Sequence, residues 1–315
     1  MTPLVLTPGD PRGIGPEIAL KALARRDPAA RPVVLAGSLD ALLAAHALAP
    51  GAPPLQPLER LEGPVEPGHL GVWDPGDTTE PVEVGAIRGA VSACLQGTAA
   101  GLVTGPIHKA RLAARGFAYP GHTDFLGHLC GVERPVMAFV GGQLRIALVT
   151  VHLPLRAVAD ALTTDGVAHT IRTAHDALVG QLGLPAPRIG VCGLNPHAGD
   201  DGLLGREEID VIAPAVEACR ADGIDARGPI SAEAAVRQGA SGQVDLVVAM
   251  YHDQGLAPLK LLDFGRSVNW TLGLPILRTS VDHGTADDIA GKGIADPQSL
   301  EAALAWADRV AQRAP

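Results

Sequence analysis

Three histidines each close an apolar, β-rich run: RIALVTVH ends on His152, RIGVCGLNPH on His197 and DLVVAMYH on His252. In a parallel sheet the carboxyl ends of the strands share one edge, so imidazoles far apart in sequence can meet there. Three neutral imidazoles suit a divalent cation that keeps an open position, able to polarise an oxygen or activate a water. The competing reading is three independent loop or surface histidines in a chain that has eleven. Spacing alone leaves both open.

Next to the third histidine, YHDQGLAPLK supplies Asp253 and Lys260, and GRSVNWTLGLPILRTSVDHG supplies Arg266, Asn269 and Arg278. A lysine, an amide and an arginine near one strand edge can hold a phosphate or carboxylate, Arg through two parallel hydrogen bonds and Lys as a point charge. A solvated basic surface is the alternative. GHTDFLGH offers His122 and Thr123 as phosphate donors or as an ordinary helix start. The glycine-rich turn TPGDPRGIGPE leads from a strand to a helix, where free N–H groups attract anions. It matches neither GxGxxG nor GxxxxGK[ST] and reads as a structural or substrate-facing turn. LVTGPIHK, with Thr104, Gly105, His108 and Lys109, has the same standing.

The elements that would position these residues follow from the alternation of short β-rich runs with Ala- and Leu-rich stretches. PLVLTPG precedes PEIALKALARR, PVVLAG precedes LDALLAAHALA, and GLVTGP precedes HKARLAARG. This predicts βαβ units and a mostly parallel sheet with helices on its faces, with VMAFVGG as a further strand. Helices are expected over VAHTIRTAHDALVGQLG and EEIDVIAPAVEACRADG, both stopped by glycine. The tail DPQSLEAALAWADRVAQR should form another, with Asp296 as its cap and Pro297 in its first turn. Residues 49–85, rich in Pro and Gly, read as a linker or short edge strands.

Composition narrows the function classes. The 315 residues leave room for two domains of about 150 each. With 47% hydrophobic but only 3% aromatic residues, the core must be built from Ala, Val, Leu and Ile. The net charge of −9 repels phosphate backbones and anionic membranes, so neither a nucleic acid nor a membrane is an expected partner. MTPLVLTPGD is too short and lacks the basic flank of a secretory signal, and no apolar run approaches the roughly 18 residues of a membrane span. A cytoplasmic protein is expected. Cys94, Cys130, Cys192 and Cys219 show no CxxC spacing and read as reduced core residues.

The segments GDPRGIGPE, LVTGPIHK, GHTDFL, TVHLPL, NPHAGDDGLLGREE, YHDQGLAPLK and GRSVNWTLGLPILRTSVDHGTADDIAGKG agree in order and spacing with a known family. They closely resemble the 4-hydroxythreonine-4-phosphate dehydrogenases of pyridoxal phosphate biosynthesis, from the first strand to about the last helix. The resemblance implies an α/β fold of the isocitrate/isopropylmalate-dehydrogenase type, with two α/β/α domains and mostly parallel sheets. Domain one would comprise residues 1–120 and 256–315, with a cofactor loop at 281–297, and domain two residues 121–255. It also implies a homodimer with the active site at the subunit interface and a metal, zinc, magnesium or cobalt, on His152, His197 and His252. Substrate would be held by His122, Thr123, Lys260, Asn269 and Arg278, with Lys260 and Asp253 as the catalytic candidates.

VDHGTADDIAGKGIADP is also similar to the adenosine-holding loop of the β-decarboxylating dehydrogenases, which places His283, Gly284, Ala286, Asp288 and Ile289 around the adenine and its ribose. A carboxylate at Asp288 accepts from free ribose hydroxyls and repels a 2′-phosphate, so NAD is expected over NADP. The implied reaction is NAD-dependent oxidation of 4-phosphohydroxy-L-threonine at C3 to 2-amino-3-oxo-4-phosphooxybutanoate, which decarboxylates to 3-amino-2-oxopropyl phosphate. This chain departs from the family pattern at Asp124, Asp200 and Glu233, which bears on substrate selection. Alternatives are a related dehydrogenase of 4-phosphorylated threonate or erythronate, or a metal-dependent hydrolase or lyase using the same histidines without a nucleotide.

Overall fold

The computed structural model describes residues 1–76, 79–263 and 265–313. Two compact units are formed, Met1–Glu133 with Leu274–Gln312, and Arg134–Gly273 with Arg313. The chain starts in the first unit with β1 (Leu4–Thr7), α1 (Gly15–Ala24), β2 (Val33–Ala36), α2 (Leu39–His46), β3 (Leu55–Leu58), β4 (Leu70–Trp73), α3 (Val82–Leu95), β5 (Gly101–Thr104), α4 (Lys109–Ala114) and α5 (His122–Cys130). The second unit follows with β6 (Val136–Val140), β7 (Arg145–Leu148), α6 (Val158–Ala161), α7 (Thr164–Gly180), β8 (Arg188–Cys192), α8 (Ala213–Ala221), β9 (Asp225–Ile230), α9 (Ala232–Ala240), β10 (Leu246–Ala249), α10 (His252–Leu262) and β11 (Val268–Leu272). The chain then returns to the first unit with β12 (Arg278–Ser280) and α11 (Gln298–Ala311).

Every strand pairing in the first unit is parallel, in the order β3-β4-β2-β1-β5-β12. Val5 and Leu102 pack with apolar residues of α3 and α5. Leu4 and Leu6 point to the other face by strand alternation and are equally buried, so that face is covered too. A strand hidden on both faces must read as a continuous apolar run, as LVLT does.

The second unit has the order β11-β6-β7-β10-β8-β9. β11-β6 and β6-β7 are antiparallel, while β7-β10, β10-β8 and β8-β9 are parallel. Leu256 and Leu259 of α10 and Ala235 of α9 pack on Ile146, Leu148 and Val247. The expected α/β class with mostly parallel strands is what both units show. Among the described residues, no helix is long and apolar enough to cross a membrane.

Local chemistry explains where elements and expectations differ. The Pro- and Gly-rich stretch contains β3 and β4, and only β3 lies at the sheet edge. α3 was not legible because Gly85 and Gly89 and the β-branched Val82, Val84, Ile87 and Val91 weaken its helical signature. Gly89 is there for packing, since a Cβ would stand 2.4 Å from the Trp73 ring. The helix expected over EEIDVIAPAVEACRADG opens as a π-helical turn over Glu208–Ile212 before α8 begins. Pro214 has no N–H to continue an α ladder through that point. At α11 the sequence reading is off by one position: Pro297 occupies the N-cap and Asp296 accepts the Gln298 N–H at 3.0 Å.

Candidate active site

The three strands that carry the histidines are neighbours. β7, β10 and β8 lie side by side and parallel, with Leu148 paired to Ala249 and Val191 to Val248, so their carboxyl ends share one edge. His152 follows β7 by a short turn, His252 is the first residue of α10, and His197 lies in the turn after β8. The His152 and His252 ring centroids are 5.9 Å apart. His252 Nδ1 lies 2.7 Å from Asp253 Oδ1. With the proton on Nδ1, that contact leaves the Nε2 lone pair available, the usual support of a ligating histidine.

His197 begins a run, through Asp201, whose backbone is entirely left-handed: φ is 53° at His197, 55° at Ala198, 83° at Gly199, 46° at Asp200 and 54° at Asp201. Side-chain-bearing residues rarely adopt this conformation, and such strain persists only where the surroundings over-determine it. Here the surroundings are Glu208 and Asn195. Glu208, 3% exposed, accepts the Leu194 and Asn195 N–H groups on Oε1, both at 2.7 Å, and Asn195 Nδ2 on Oε2 at 2.9 Å. Glu233, at the start of α9, feels the charge of His197. Gln254 ties two of the strand ends together, accepting the Met250 N–H and donating to the Gly193 carbonyl, each at 2.7 Å. Thr150 adds a third tie to the Met250 carbonyl at 2.8 Å.

One chain thus brings two of the rings together and supplies the third from the adjacent strand. Among the described residues, no group of three or more His, Cys, Asp or Glu side chains is arranged to hold a metal. Lys260 stands in the last turn of α10, roughly 12 Å of helical rise beyond His252. Asn269 is half-buried on β11, opposite Phe139.

The first unit holds the other anion-binding candidates. His122 and Thr123 open α5, and Arg278 opens β12 with only 2% exposure. Arg278 Nη2 donates to Thr104 Oγ1 at 2.8 Å, and burial pulls its guanidinium down to about 9. The His122 side chain is partly covered, but its Nε2 is out of reach of solvent and has no hydrogen-bond partner. Burial first, then the charges of Arg278 and Lys109, hold the imidazole well below its ordinary pKa. It is therefore neutral at pH 7 and can donate to, or accept from, a ligand.

Below about pH 6.5 the unfolded chain takes up a proton at His122 that the folded ring refuses. Stability should therefore fall as the pH drops through this region. Denaturant titrations between pH 7 and pH 5 should show a shallower decline for His122→Gln than for the wild type.

The 283–289 segment forms a tight turn, with Ala286 at φ 44° and the Ile289 N–H donated to the Ala286 carbonyl at 3.0 Å. His283 Nδ1 lies 2.9 Å from the Gly284 carbonyl. The first glycine-rich loop supports this turn from below: Ile14 N–H donates to the Thr285 carbonyl at 3.0 Å, and a Cβ on Gly13 would stand 2.9 Å from Thr285 Cβ. Arg111 bridges buried Asp10, at 2.7 Å, and Asp287. Asp288 is exposed and forms no ion pair among the described residues, so its carboxylate is available where Asp287's is not. Further along, Glu17, 2% exposed, accepts Lys21 Nζ at 2.6 Å and the Ala295 N–H at 2.9 Å.

Residues 67–307 match the family described as pyridoxal phosphate biosynthetic protein PdxA. The chain belongs to the PdxA family. A curated relative from Stenotrophomonas maltophilia (strain R551-3), named 4-hydroxythreonine-4-phosphate dehydrogenase, is 45% identical over 98% of this chain and 97% of its own. One of the same name from Aromatoleum aromaticum is 47% identical over 96% and 94%. The crystal structure of the Klebsiella pneumoniae 4-hydroxythreonine-4-phosphate dehydrogenase superposes with a TM-score of 0.89 at 38% identity, covering 99% of this chain and all of that one. A terephthalate 1,2-cis-dihydrodiol dehydrogenase from Burkholderia xenovorans LB400 matches with a TM-score of 0.67 at 30% identity over 98% of each chain.

In this PdxA-family chain the three departures noted in sequence all lie at accessible positions: Asp124 on α5, Asp200 in the left-handed run and Glu233 on α9. Glu208, Gln254 and Thr150 were not singled out by sequence reasoning. Nothing in REE distinguishes the buried Glu208 from its exposed-side neighbour Glu207, and only the observed hydrogen bonds do so.

Proposed function

We propose that this chain is an NAD- and metal-dependent dehydrogenase that oxidises 4-phosphohydroxy-L-threonine at C3. The product, 2-amino-3-oxo-4-phosphooxybutanoate, then loses carbon dioxide to give 3-amino-2-oxopropyl phosphate. The observation that carries the reading is near-full-length identity of 45% with a relative named for this activity. The buried Arg278 beside a neutral His122 supports a phosphorylated substrate rather than an uncharged diol.

His152, His197 and His252 are the residues that would hold a divalent cation, zinc, magnesium or cobalt. Their fit rests on donor chemistry, on the adjacency of β7, β10 and β8, and on the two rings already 5.9 Å apart. When bound, such an ion supplies Lewis acidity that favours loss of the C3 hydroxyl proton and later stabilises the enolate. We read the protein as a homodimer whose active site is completed at the subunit interface.

His122, Thr123 and Arg278 hold the phosphate, while Lys260 and Asn269 serve the remaining polar groups of the substrate and fix its orientation. Asp253 orients His252 through Nδ1, and with Lys260 it is a candidate for proton handling. His283, Gly284, Ala286, Asp288 and Ile289 surround the adenosine of NAD, and Asp288 disfavours a 2′-phosphate. The C3 hydrogen leaves as hydride to the nicotinamide and the hydroxyl proton is lost. The new carbonyl then accepts the electron pair released by the departing carboxylate, and the enolate is protonated.

The test is a panel of 4-phosphohydroxy-L-threonine, 4-phosphothreonate, 4-phosphoerythronate and an aromatic dihydrodiol with NAD or NADP and a divalent metal, reading NADH and carbon dioxide. NADH and carbon dioxide from the phosphorylated amino acid are expected. Preference for a phosphorylated sugar acid would move the substrate assignment, and consumption without NADH would favour a hydrolase or lyase.

A further inference from the structure

The first unit brings a second cation to the Arg278–His122 pair. Lys109 is the first residue of α4, and its Cε and Nζ lie 3.5 and 3.6 Å from where a Cβ on Gly121 would stand. Gly121 directly precedes His122, so the ammonium lies over the start of α5, and its field reaches the His122 ring together with that of Arg278. The residues flanking Lys109 have other duties, since His108 and Arg111 both approach Asp287. No carboxylate pairs with Lys109 among the described residues.

A phosphate monoester carries about −1.5 to −2 charge at pH 7, whereas a carboxylate carries one. A single guanidinium balances a carboxylate and leaves a phosphate under-neutralised. A second, mobile ammonium on a four-carbon stem corrects this as a point charge, while the neutral imidazole offers a hydrogen bond from a buried Nε2 with no protein partner.

We propose that Lys109 is a further substrate-binding residue, closing on the same phosphate oxygens that His122, Thr123 and Arg278 receive and making this subsite selective for a dianion. The identity of that phosphate as part of the substrate rests on the function proposed above; the dianion subsite itself does not. Lys109→Met and Lys109→Arg, made in the full chain, test it. The position is exposed, so the thermal midpoint should not move.

In the methionine variant, KM for the phosphorylated substrate should rise about 10- to 100-fold, as expected for losing a charged hydrogen-bonding partner, while kcat and KM for NAD change little. The arginine variant should recover most of the loss. A second measurement needs no turnover: inorganic phosphate titrated into the protein and followed by the His122 ring resonances should bind at least about tenfold more weakly in Lys109→Met, with acetate unaffected. Unchanged phosphate affinity in that variant overturns the inference even if the wild type turns over its substrate. Lys109-dependent phosphate binding in a protein that oxidises no phosphorylated hydroxy acid upholds it and removes the functional reading instead.

Discussion

His252→Ala is expected to lower kcat/KM by about 10³-fold or more, because a Lewis acid contributes several kcal/mol to the barrier and each 1.36 kcal/mol is a factor of ten. The same loss should follow from His152→Ala, whose ring lies 5.9 Å from that of His252. The His252 side chain is about a third exposed, so its truncation removes little packing. Circular dichroism and the thermal midpoint should accordingly stay near wild type. Calorimetry should show zinc affinity reduced in each variant while phosphate binding at His122 and Arg278 persists. A His252→Ala enzyme that retains wild-type kcat/KM with metal stripped from both proteins would sink the proposed role of the three strand-end imidazoles.

Glu17→Ala should cost about 3–5 kcal/mol of stability, the range for removing one partner of a buried ion pair. Glu17 lies in the first turn of α1, and its carboxylate receives Lys21 at 2.6 Å and the backbone of Ala295 at 2.9 Å. Lys21 also donates to the carbonyls of Gly293 and Ala295, both at 2.9 Å, so the pair fastens the 293–295 backbone to the helix. Removing the acid strands an ammonium and two N–H groups away from water. Urea unfolding measures the loss, and Glu17→Gln should retain part of the stability because one acceptor oxygen remains. A loss under 1 kcal/mol in the alanine variant would show that water replaces the carboxylate at no cost. The 293–295 segment follows the proposed adenosine turn, so KM for NAD should rise in parallel.

The parts of this molecule legible in sequence are those with a periodic or terminal signature. The three histidines could be placed on one sheet edge because each terminates an apolar run, and β7, β10 and β8 are indeed neighbours. The cap of α11 was readable from Asp296 and Pro297 to within one residue. What escaped were roles set by burial rather than by type. Glu208 and Glu17 have the composition of surface residues, and their duties become visible only once three N–H groups converge on the first and a loop backbone on the second. The glycines of GDPRGIGPE were noticed for possible anion contact, yet Gly15 has a packing reason of its own, since a Cβ there would lie 1.9 Å from the Pro8 carbonyl oxygen. The left-handed run at His197–Asp201 had no sequence signal, because four of its five residues are not glycine.

The first unit is assembled from both ends of the chain, with β12 and α11 completing a sheet begun by β1. On the ribosome, β5 must therefore wait for some 170 further residues before the strand that covers its open side emerges, at a typical synthesis rate a delay of roughly 10–30 seconds. The second unit, nearly continuous in sequence, can close during that interval. Nascent chains halted before β12 would carry a naked apolar ribbon edge, the kind of surface that chaperones hold and that self-associates when they do not.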